Sequence, residues 1–287
     1  MERSISTLTG PKRKLDGGIL FGHTPRLRWA HWMRPDHDNL VDIASRGLLV
    51  QQDGKNILVL SGAGCILARH TSSCRCHTNV SGLLHDLARL HLSEKDIHAV
   101  VLTHLHVQDS TELREGLNDG VMPRLLFPNA SYIISASHWH RASHPHPRDR
   151  DLFVAPLIRC LDRSGRVTLV DGTSCQQLGT GWYLHYSDGH TPGQLLPEIL
   201  LPGGPVLFVG DLIPGTHWLS LEINSAYNRN PEYMVAEKER LLDHMVENRG
   251  RLFFSIDPDV AMVKVIRDRK SRYIAFDHYK NFSKFDS

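Results

Sequence analysis

The amino-acid sequence predicts a mixed α/β (α+β) chain, in which helices cover β-sheets within one large domain. Short apolar runs bounded by turn residues recur along all 287 residues, and such runs are typical of buried strands. One long segment, 231–247, has an apolar side at helical spacing and charged residues elsewhere. The hydrophobic content of 41% is enough for a sizeable core and too high for a disordered chain.

The order of the predicted elements runs from strands to mixed helices and strands. In chain order we predict strands at 47–52 and 57–60, a helix over 83–92, strands at 97–102, 132–135, 167–170, 182–186 and 205–209, a helix over 231–247, and strands at 251–254 and 272–275. The first two strands flank Asp53-Gly54, a dipeptide that favours a tight hairpin turn. Three of the remaining runs end directly at a turn-favouring residue, which is Thr103, Asp171 or Gly210. We expect residues 1–14 to form an N-terminal tail and 15–287 to form a single domain.

Composition excludes several classes of partner and compartment. The formal net charge is +2, so there is no strong attraction to nucleic acid or to an anionic membrane. No apolar run approaches the roughly 18–20 residues that span a bilayer, and the N-terminus has no apolar secretory segment. Five cysteines with scattered spacing argue against a disulfide framework. These features favour a reducing, cytoplasmic compartment.

Histidine is the outlier of the composition, with nineteen residues. His104 and His106 alternate directly after a predicted strand, which points both imidazoles to the same side. His190 and Asp211 each lie in a glycine-containing turn after another predicted strand. Three imidazoles and a carboxylate are ligands that suit Zn²⁺ or Fe²⁺, although spacing alone does not prove that the four side chains converge.

Two further histidine pairs lie in the stretch 137–150. His138 and His140, like His144 and His146, alternate in a segment rich in proline and arginine. We expect this stretch to be loop-like, with exposed polar side chains as the default.

The ordered motifs resemble the metallo-β-lactamase superfamily. They are Thr-His-x-His at 103–106, Gly-His-Thr-Pro-Gly at 189–193 and Gly-Asp at 210–211. The resemblance covers about residues 15–275. Within the superfamily, the sequence looks like the branch that holds the N-acyl-homoserine lactonases. The resemblance implies a four-layer αββα sandwich of the metallo-β-lactamase type. It is less specific for a substrate, since one fold supports many activities.

The sequence departs from the family pattern where a second metal would bind. The family motif His-x-His-x-Asp-His has Gln108 and Asp109 at its last two positions, and Ile256 stands where a later histidine is usual. Glutamine is a weak neutral donor, isoleucine cannot bind a metal, and imidazole suits zinc and iron better than hard oxygen does. The second site is therefore degenerate, and we expect one tightly held divalent ion, with zinc as the first choice and iron as the alternative.

The resemblance also implies roles for individual residues. His104, His106 and His190 correspond to ligands of the retained metal, and Asp211 corresponds to a further ligand that also acts in catalysis. Asp109 is our candidate general base beside the metal-bound water, and His217 is our candidate for contact with the substrate.

Three functions follow as alternatives. The leading one is a metal-dependent hydrolase that uses a single metal-bound water to cleave an ester, lactone or thioester of a small molecule. The second is a catalytically impaired pseudo-hydrolase that acts as a metal- or ligand-binding accessory or regulatory protein. The third is a mononuclear-iron oxygenase. No nucleic-acid or membrane partner is expected, and the oligomeric state is left open, with a homodimer as one alternative.

Overall fold

The computed structural model describes residues 2–10, 12–64, 66–68, 77–107 and 124–286. Its strands are β1 (Arg3–Thr9), β2 (Arg13–Asp16), β3 (Leu40–Ile43), β4 (Arg46–Gln52), β5 (Lys55–Leu60), β6 (Leu67–Ala68), β7 (Ala99–Leu102), β8 (Arg124–Leu125), β9 (Ser131–Ser135), β10 (Val167–Val170), β11 (Trp182–Ser187), β12 (Gln194–Leu201), β13 (Gly204–Phe208), β14 (Arg251–Phe253), β15 (Met262–Arg267) and β16 (Tyr273–Tyr279). Its α-helices are α1 (Gly17–Phe21), α2 (Arg26–Trp29), α3 (His77–Arg89), α4 (Ala136–Ser143), α5 (Ala155–Arg163) and α6 (Pro231–Glu247). Single 3₁₀ turns lie at Glu94–Asp96, Arg150–Leu152 and Thr216–Leu219.

Two six-stranded sheets form the frame. The first sheet has the order β1-β4-β5-β7-β9-β10, with antiparallel pairing from β1 to β5 and parallel pairing from β5 to β10. The second sheet has the order β11-β12-β13-β14-β15-β16 and is antiparallel except for the parallel pair β13 and β14. Two short pairs, β2 with β3 and β6 with β8, lie outside both sheets.

Three buried clusters show how the layers are stacked. One cluster joins the two sheets, since it contains Val59 and Val101 from the first and Leu195 and Phe208 from the second. A second cluster packs the other face of the first sheet against α3 and α5. A third packs the other face of the second sheet against α1, α2 and α6. The chain therefore forms a four-layer αββα sandwich, which confirms the predicted fold.

The strongest local signals agree with the structure. The hairpin predicted across Asp53-Gly54 is the pair β4 and β5, and both turn residues have positive φ angles of 47° and 74°. A two-residue turn with both φ angles positive matches the twist of the flanking strands. Helix α6 has the predicted bounds and begins at Pro231, whose fixed φ suits the first helical position.

The N-terminal residues differ from the expected tail. Arg3–Thr9 forms β1 at the edge of the first sheet, and Ile5 and Leu8 are fully buried. The Arg3 guanidinium donates to Gln52 Oε1 at 2.8 Å and to the Leu200 carbonyl at 2.6 Å. The strand has only two large apolar residues, so its sequence pattern is a weak signal for a strand. Pairing with β4 stabilises its extended conformation.

The histidine-rich stretch also differs from expectation. Residues 136–143 form α4 rather than a loop, and the Ser135 side chain accepts the N–H of His138 as the N-cap of this helix. Proline occurs only beyond the end of the helix, so the loop-like composition belongs to the following segment. Among the described residues, no helix is long and apolar enough to cross a membrane.

Replacement of Ile5 by alanine tests the strand assignment of the N-terminus. We expect Ile5→Ala to lower the free energy of unfolding by about 2–5 kcal/mol, because it removes a fully buried side chain and leaves a cavity. Urea titration measures this change. Glu2→Ala, at an exposed position just before β1, should change stability by no more than about 0.5 kcal/mol. Equal small effects of the two variants would mean that residues 3–9 behave as a tail.

Candidate metal centre

The predicted metal ligands meet where strand ends of the two sheets come together. His104 and His106 follow β7 of the first sheet, whereas His190 lies in the turn between β11 and β12 of the second. The N–H of Leu195 in β12 donates to the carbonyl of Thr103 at 2.8 Å, and this bond joins the two sheets beside the histidines. Asp211 enters the same region from the turn after β13.

Three imidazoles and one carboxylate surround a common point. Candidate ligand atoms of His104, His106 and His190 all lie within 4.8 Å of one another, and the three residues are buried. The distance from His106 Nδ1 to His190 Nε2 is 3.3 Å. Asp211 Oδ2 lies 3.7 Å from His104 Nε2 and 3.6 Å from His190 Nε2. Tetrahedral zinc ligands at bond lengths of about 2.0–2.1 Å are separated by about 3.3 Å, so these spacings fit one such ion.

Hydrogen bonds on the opposite side of three ligands fix their orientation. The Thr103 hydroxyl contacts His104 Nδ1 at 2.8 Å, and Asn228 Oδ1 lies 3.0 Å from His190 Nδ1. Ser61 donates its hydroxyl to Asp211 Oδ1 at 2.6 Å. These three ligands therefore each use one polar atom for the scaffold and present another to the centre, as supported metal ligands do.

Burial controls the charge of the centre. It lowers the pKa of His104 to about 4 and lowers the pKa of His106 well below its ordinary value. Both rings are thus neutral at pH 7 and retain a nitrogen lone pair. Burial alone would raise the pKa of Asp211, but His104, His190 and the Ser61 hydrogen bond outweigh it and lower the pKa. The centre accordingly combines the neutral imidazoles of His104 and His106 with a carboxylate anion.

His138 is a site residue that the sequence analysis did not select. It is fully buried, and its Nε2 accepts the N–H of Leu105 at 2.8 Å. Its Nδ1 lies 3.0 Å from the carbonyl of Pro192, to which it donates. One neutral imidazole therefore ties the loop of His104 and His106 to the turn of His190, and burial lowers its pKa to about 3. No sequence signal distinguishes it from the neighbouring histidines, since its role depends on contacts at long range.

Two glycines permit this close packing. A Cβ atom on Gly62 would lie 2.9 Å from the carbonyl oxygen of His106, and one on Gly193 would lie 2.6 Å from the backbone nitrogen of His138. Their φ angles are +76° and +72°, which glycine adopts without strain. Larger residues at either position would push the ligand loops apart.

The remaining predicted site residues are not part of this cluster in the described structure. Asp109 and Gln108 lie outside the described residues. His217 stacks on Trp32, with ring centroids 5.4 Å apart and planes 13° apart, and burial lowers its pKa. It is not among the histidines that converge around Asp211. Its predicted contact with a substrate stays a prediction.

The loop after Ile256 has a structural use. The carboxylate of Asp257 accepts the N–H and the hydroxyl of Thr216 at 2.9 and 3.0 Å, and also the N–H groups of Asp259 and Val260. Ile256 itself packs in the cluster beneath α6. Asp257 therefore anchors the loop that carries His217.

Several solved structures share this architecture. The chain is 24% identical to a probable metal-dependent hydrolase from Staphylococcus aureus, with a TM-score of 0.77 and coverage of 96% of this chain and 98% of that chain. It is 20% identical to AidC, a dizinc quorum-quenching lactonase in complex with a product, and 18% identical to the hydrolase AbOPH of the β-lactamase superfamily. Both comparisons have a TM-score of 0.72 and cover 96% of this chain and 94% of the other. No family model and no curated protein matches the sequence.

These structural neighbours are metal-dependent hydrolases of the metallo-β-lactamase superfamily, and they include N-acyl-homoserine lactonases. The chain therefore has the αββα sandwich of the metallo-β-lactamase type. At this level of identity the comparison shows the fold, and the chemistry of the chain has to be argued from its own side chains.

Removal of the His138 imidazole tests its role as the bridge between the two ligand loops. His138→Ala leaves the Leu105 N–H and the Pro192 carbonyl without this partner, so we expect a loss of about 2–5 kcal/mol in the free energy of unfolding. His140→Ala is the matched control, since His140 lies on the same helix and is exposed, and it should cost no more than about 0.5 kcal/mol. Urea denaturation compares them, and similar values would remove the bridging role.

Proposed function

We propose that the protein is a metal-dependent hydrolase that acts on an ester, lactone or thioester of a small molecule. The observation that carries this proposal is the convergence of His104, His106 and His190 with Asp211 in a buried centre. The contacts of 3.3–3.7 Å between these atoms match the separation of about 3.3 Å between tetrahedral zinc ligands, which supports a metal centre over a purely structural network.

The donor set fits one transition ion. The ligand atoms would be His104 Nε2, His106 Nδ1, His190 Nε2 and Asp211 Oδ2, since these atoms face one another across the centre. Zinc is the ion we propose, because imidazole and carboxylate suit it and the geometry is compatible with four ligands. When bound, such an ion lowers the pKa of a coordinated water to about 7 and polarises a carbonyl oxygen.

Neighbouring residues orient the ligands, and the sequence differs from the family pattern at the second metal site. Asn228 and Thr103 hold the rings of His190 and His104 in place, and Ser61 holds one Asp211 oxygen so that the other faces the centre. Gln108 stands where the family has an aspartate, and Asp109 and Ile256 stand where it has histidines, which supports a single-metal set. We retain Asp109 as the general base and His217 as a substrate contact within this proposal.

The substrate class rests on the fold and on the chemistry of the centre. Attack on an acyl carbon with an oxygen or sulfur leaving group is accelerated by an activated water and by a cation near the developing oxyanion, and the centre with its ion would supply both. Among the neighbours, AidC is a lactonase with a product bound, and another structure is an N-acyl homoserine lactone hydrolase with N-hexanoyl-L-homoserine at its catalytic metal centre. Lactones are therefore the first substrates to test.

The metal lost on substitution of His104 measures the stoichiometry of the centre. We expect His104→Ala, purified without added metal, to contain about one equivalent of zinc less than the wild-type chain by elemental mass spectrometry. Its rate of hydrolysis of a panel of lactones and thioesters should fall at least about 100-fold, because the ion would stabilise the transition state. Each 1.36 kcal/mol of that stabilisation that is lost slows the reaction tenfold. His140→Ala should keep both the metal and the activity.

Other outcomes lead to different conclusions. A loss of two equivalents in His104→Ala would mean a dinuclear centre, against the single-metal set. Iron in place of zinc would favour oxygenase chemistry. Zinc binding without hydrolysis of any ester, lactone or thioester would favour the accessory or regulatory alternative.

Asn228 offers a test of the support around the ligands. Asn228→Ala removes the partner of His190 Nδ1, so we expect the affinity for zinc to fall about 10- to 100-fold. Asn230→Ala is the control, because Asn230 lies two residues away and its side chain donates to the carbonyl of Asp188 and not to a candidate ligand. Competition with a fluorescent zinc chelator gives both values. An unchanged affinity in Asn228→Ala would show that His190 is oriented without this hydrogen bond.

A further inference from the structure

A second group of metal-binding side chains lies away from the candidate centre. It consists of His185 on β11, Glu198 on β12 and His244 near the end of α6. Tyr183 lies directly opposite Glu198 in the strand pair, and this places Glu198 beside His185 on the same face of the sheet. Helix α6 packs over this face and brings His244 to the pair.

The two imidazoles converge on one carboxylate oxygen. His185 Nε2 lies 2.7 Å from Glu198 Oε2, and His244 Nε2 lies 2.8 Å from the same atom. The two rings are 5.4 Å apart between centroids. Three ligand-type atoms from three elements therefore meet within 4.8 Å of one another.

Burial and charge both favour a cation at this point. The side chains of His185 and Glu198 are only 6% and 13% exposed, whereas that of His244 is 37% exposed and leaves one side open to water. Burial alone would raise the pKa of Glu198, but the hydrogen bonds from His185 and His244 outweigh it and lower the pKa. The carboxylate is thus anionic at neutral pH, with two nitrogen donors beside it.

We propose that His185, Glu198 and His244 form a second, separate binding site for a first-row transition ion such as Zn²⁺. Two imidazoles and one carboxylate with an open fourth position are a ligand set that zinc accepts, and water can fill the open position from the side of His244. The proposal does not depend on the hydrolase function, since none of these residues belongs to the candidate centre.

Binding requires a small local change. The two nitrogen–oxygen distances have to lengthen from 2.7 and 2.8 Å to about 3.3 Å for a tetrahedral ion. The proton on each Nε2 moves to Nδ1, so no proton is lost from a neutral imidazole. Asn248 Nδ2 lies 3.2 Å from His244 Nδ1 and donates to the His244 carbonyl at 2.8 Å, so the contact with Nδ1 has to open when that nitrogen takes the proton. The candidate centre needs no such opening, so the second site should bind zinc more weakly.

The consequence of binding is a link between layers. The ion would connect β11 and β12 with the C-terminal part of α6, and it would stabilise the folded chain in proportion to the logarithm of its concentration over Kd. The readout is therefore thermal unfolding as well as binding.

The experiment uses zinc alone as the probe, with wild type, His244→Ala, Glu198→Gln and His278→Ala. Calorimetric titration of the metal-stripped wild type should give two classes of site. We expect His244→Ala to bind one equivalent less than wild type, and Glu198→Gln to bind the weaker equivalent at least ten-fold less tightly. His278→Ala, at an exposed position on β16, should match the wild type.

A second set of variants separates this site from the candidate centre. In His104→Ala, zinc should still raise the unfolding temperature, and this rise should disappear in His104→Ala/His244→Ala. Should the buried His104 variants fail to fold, the difference between wild type and His244→Ala decides alone. Identical zinc binding by wild type and His244→Ala would overturn the proposal, as would a zinc-dependent temperature rise that survives in the double variant.

Discussion

The arrangement of the candidate centre depends on the contact between the two sheets. Apolar side chains of both sheets form one buried cluster, and the Leu195 N–H to Thr103 carbonyl bond joins their strand ends directly. Because each sheet is rigid, this contact fixes the start of the loop with His104 and the end of the turn with His190. His138 then joins both segments by two further hydrogen bonds. The ligands converge because the loops that carry them have little freedom to separate.

The two histidine groups differ in how far apart their candidate ligand atoms lie. In the candidate centre three ligands are held from behind by Ser61, Thr103 and Asn228, and the contacts of His190 with His106 and of Asp211 with His104 and His190 are 3.3–3.7 Å long. In the group around Glu198 the facing atoms are in hydrogen-bond contact. Pre-organisation removes the cost of rearrangement on binding, so under the two proposals the first group should bind an ion more tightly than the second.

Predictions from the sequence succeeded where a local pattern carries the information. The hairpin at Asp53-Gly54, helix α6 and the strands before His104, His190 and Asp211 were all predicted, since turn chemistry and periodicity act over a few residues. Four candidate ligands were named from their motifs, and the structure brings them together. Strand β1 and helix α4 were missed: the first has few apolar residues, and the composition of the second resembles that of the proline-rich segment beyond it.

The sequence by itself determined which kinds of ligand are present, their order along the chain and the substitution of the second-site histidines by Asp109 and Ile256. Only the tertiary structure decided that His138 is a buried bridge, that Ser61 holds Asp211 and that His185 meets His244 at Glu198. The physical reason is that a hydrogen bond depends on atoms within about 3 Å, and residues that are far apart in sequence reach that distance only after the sheets and helices have packed.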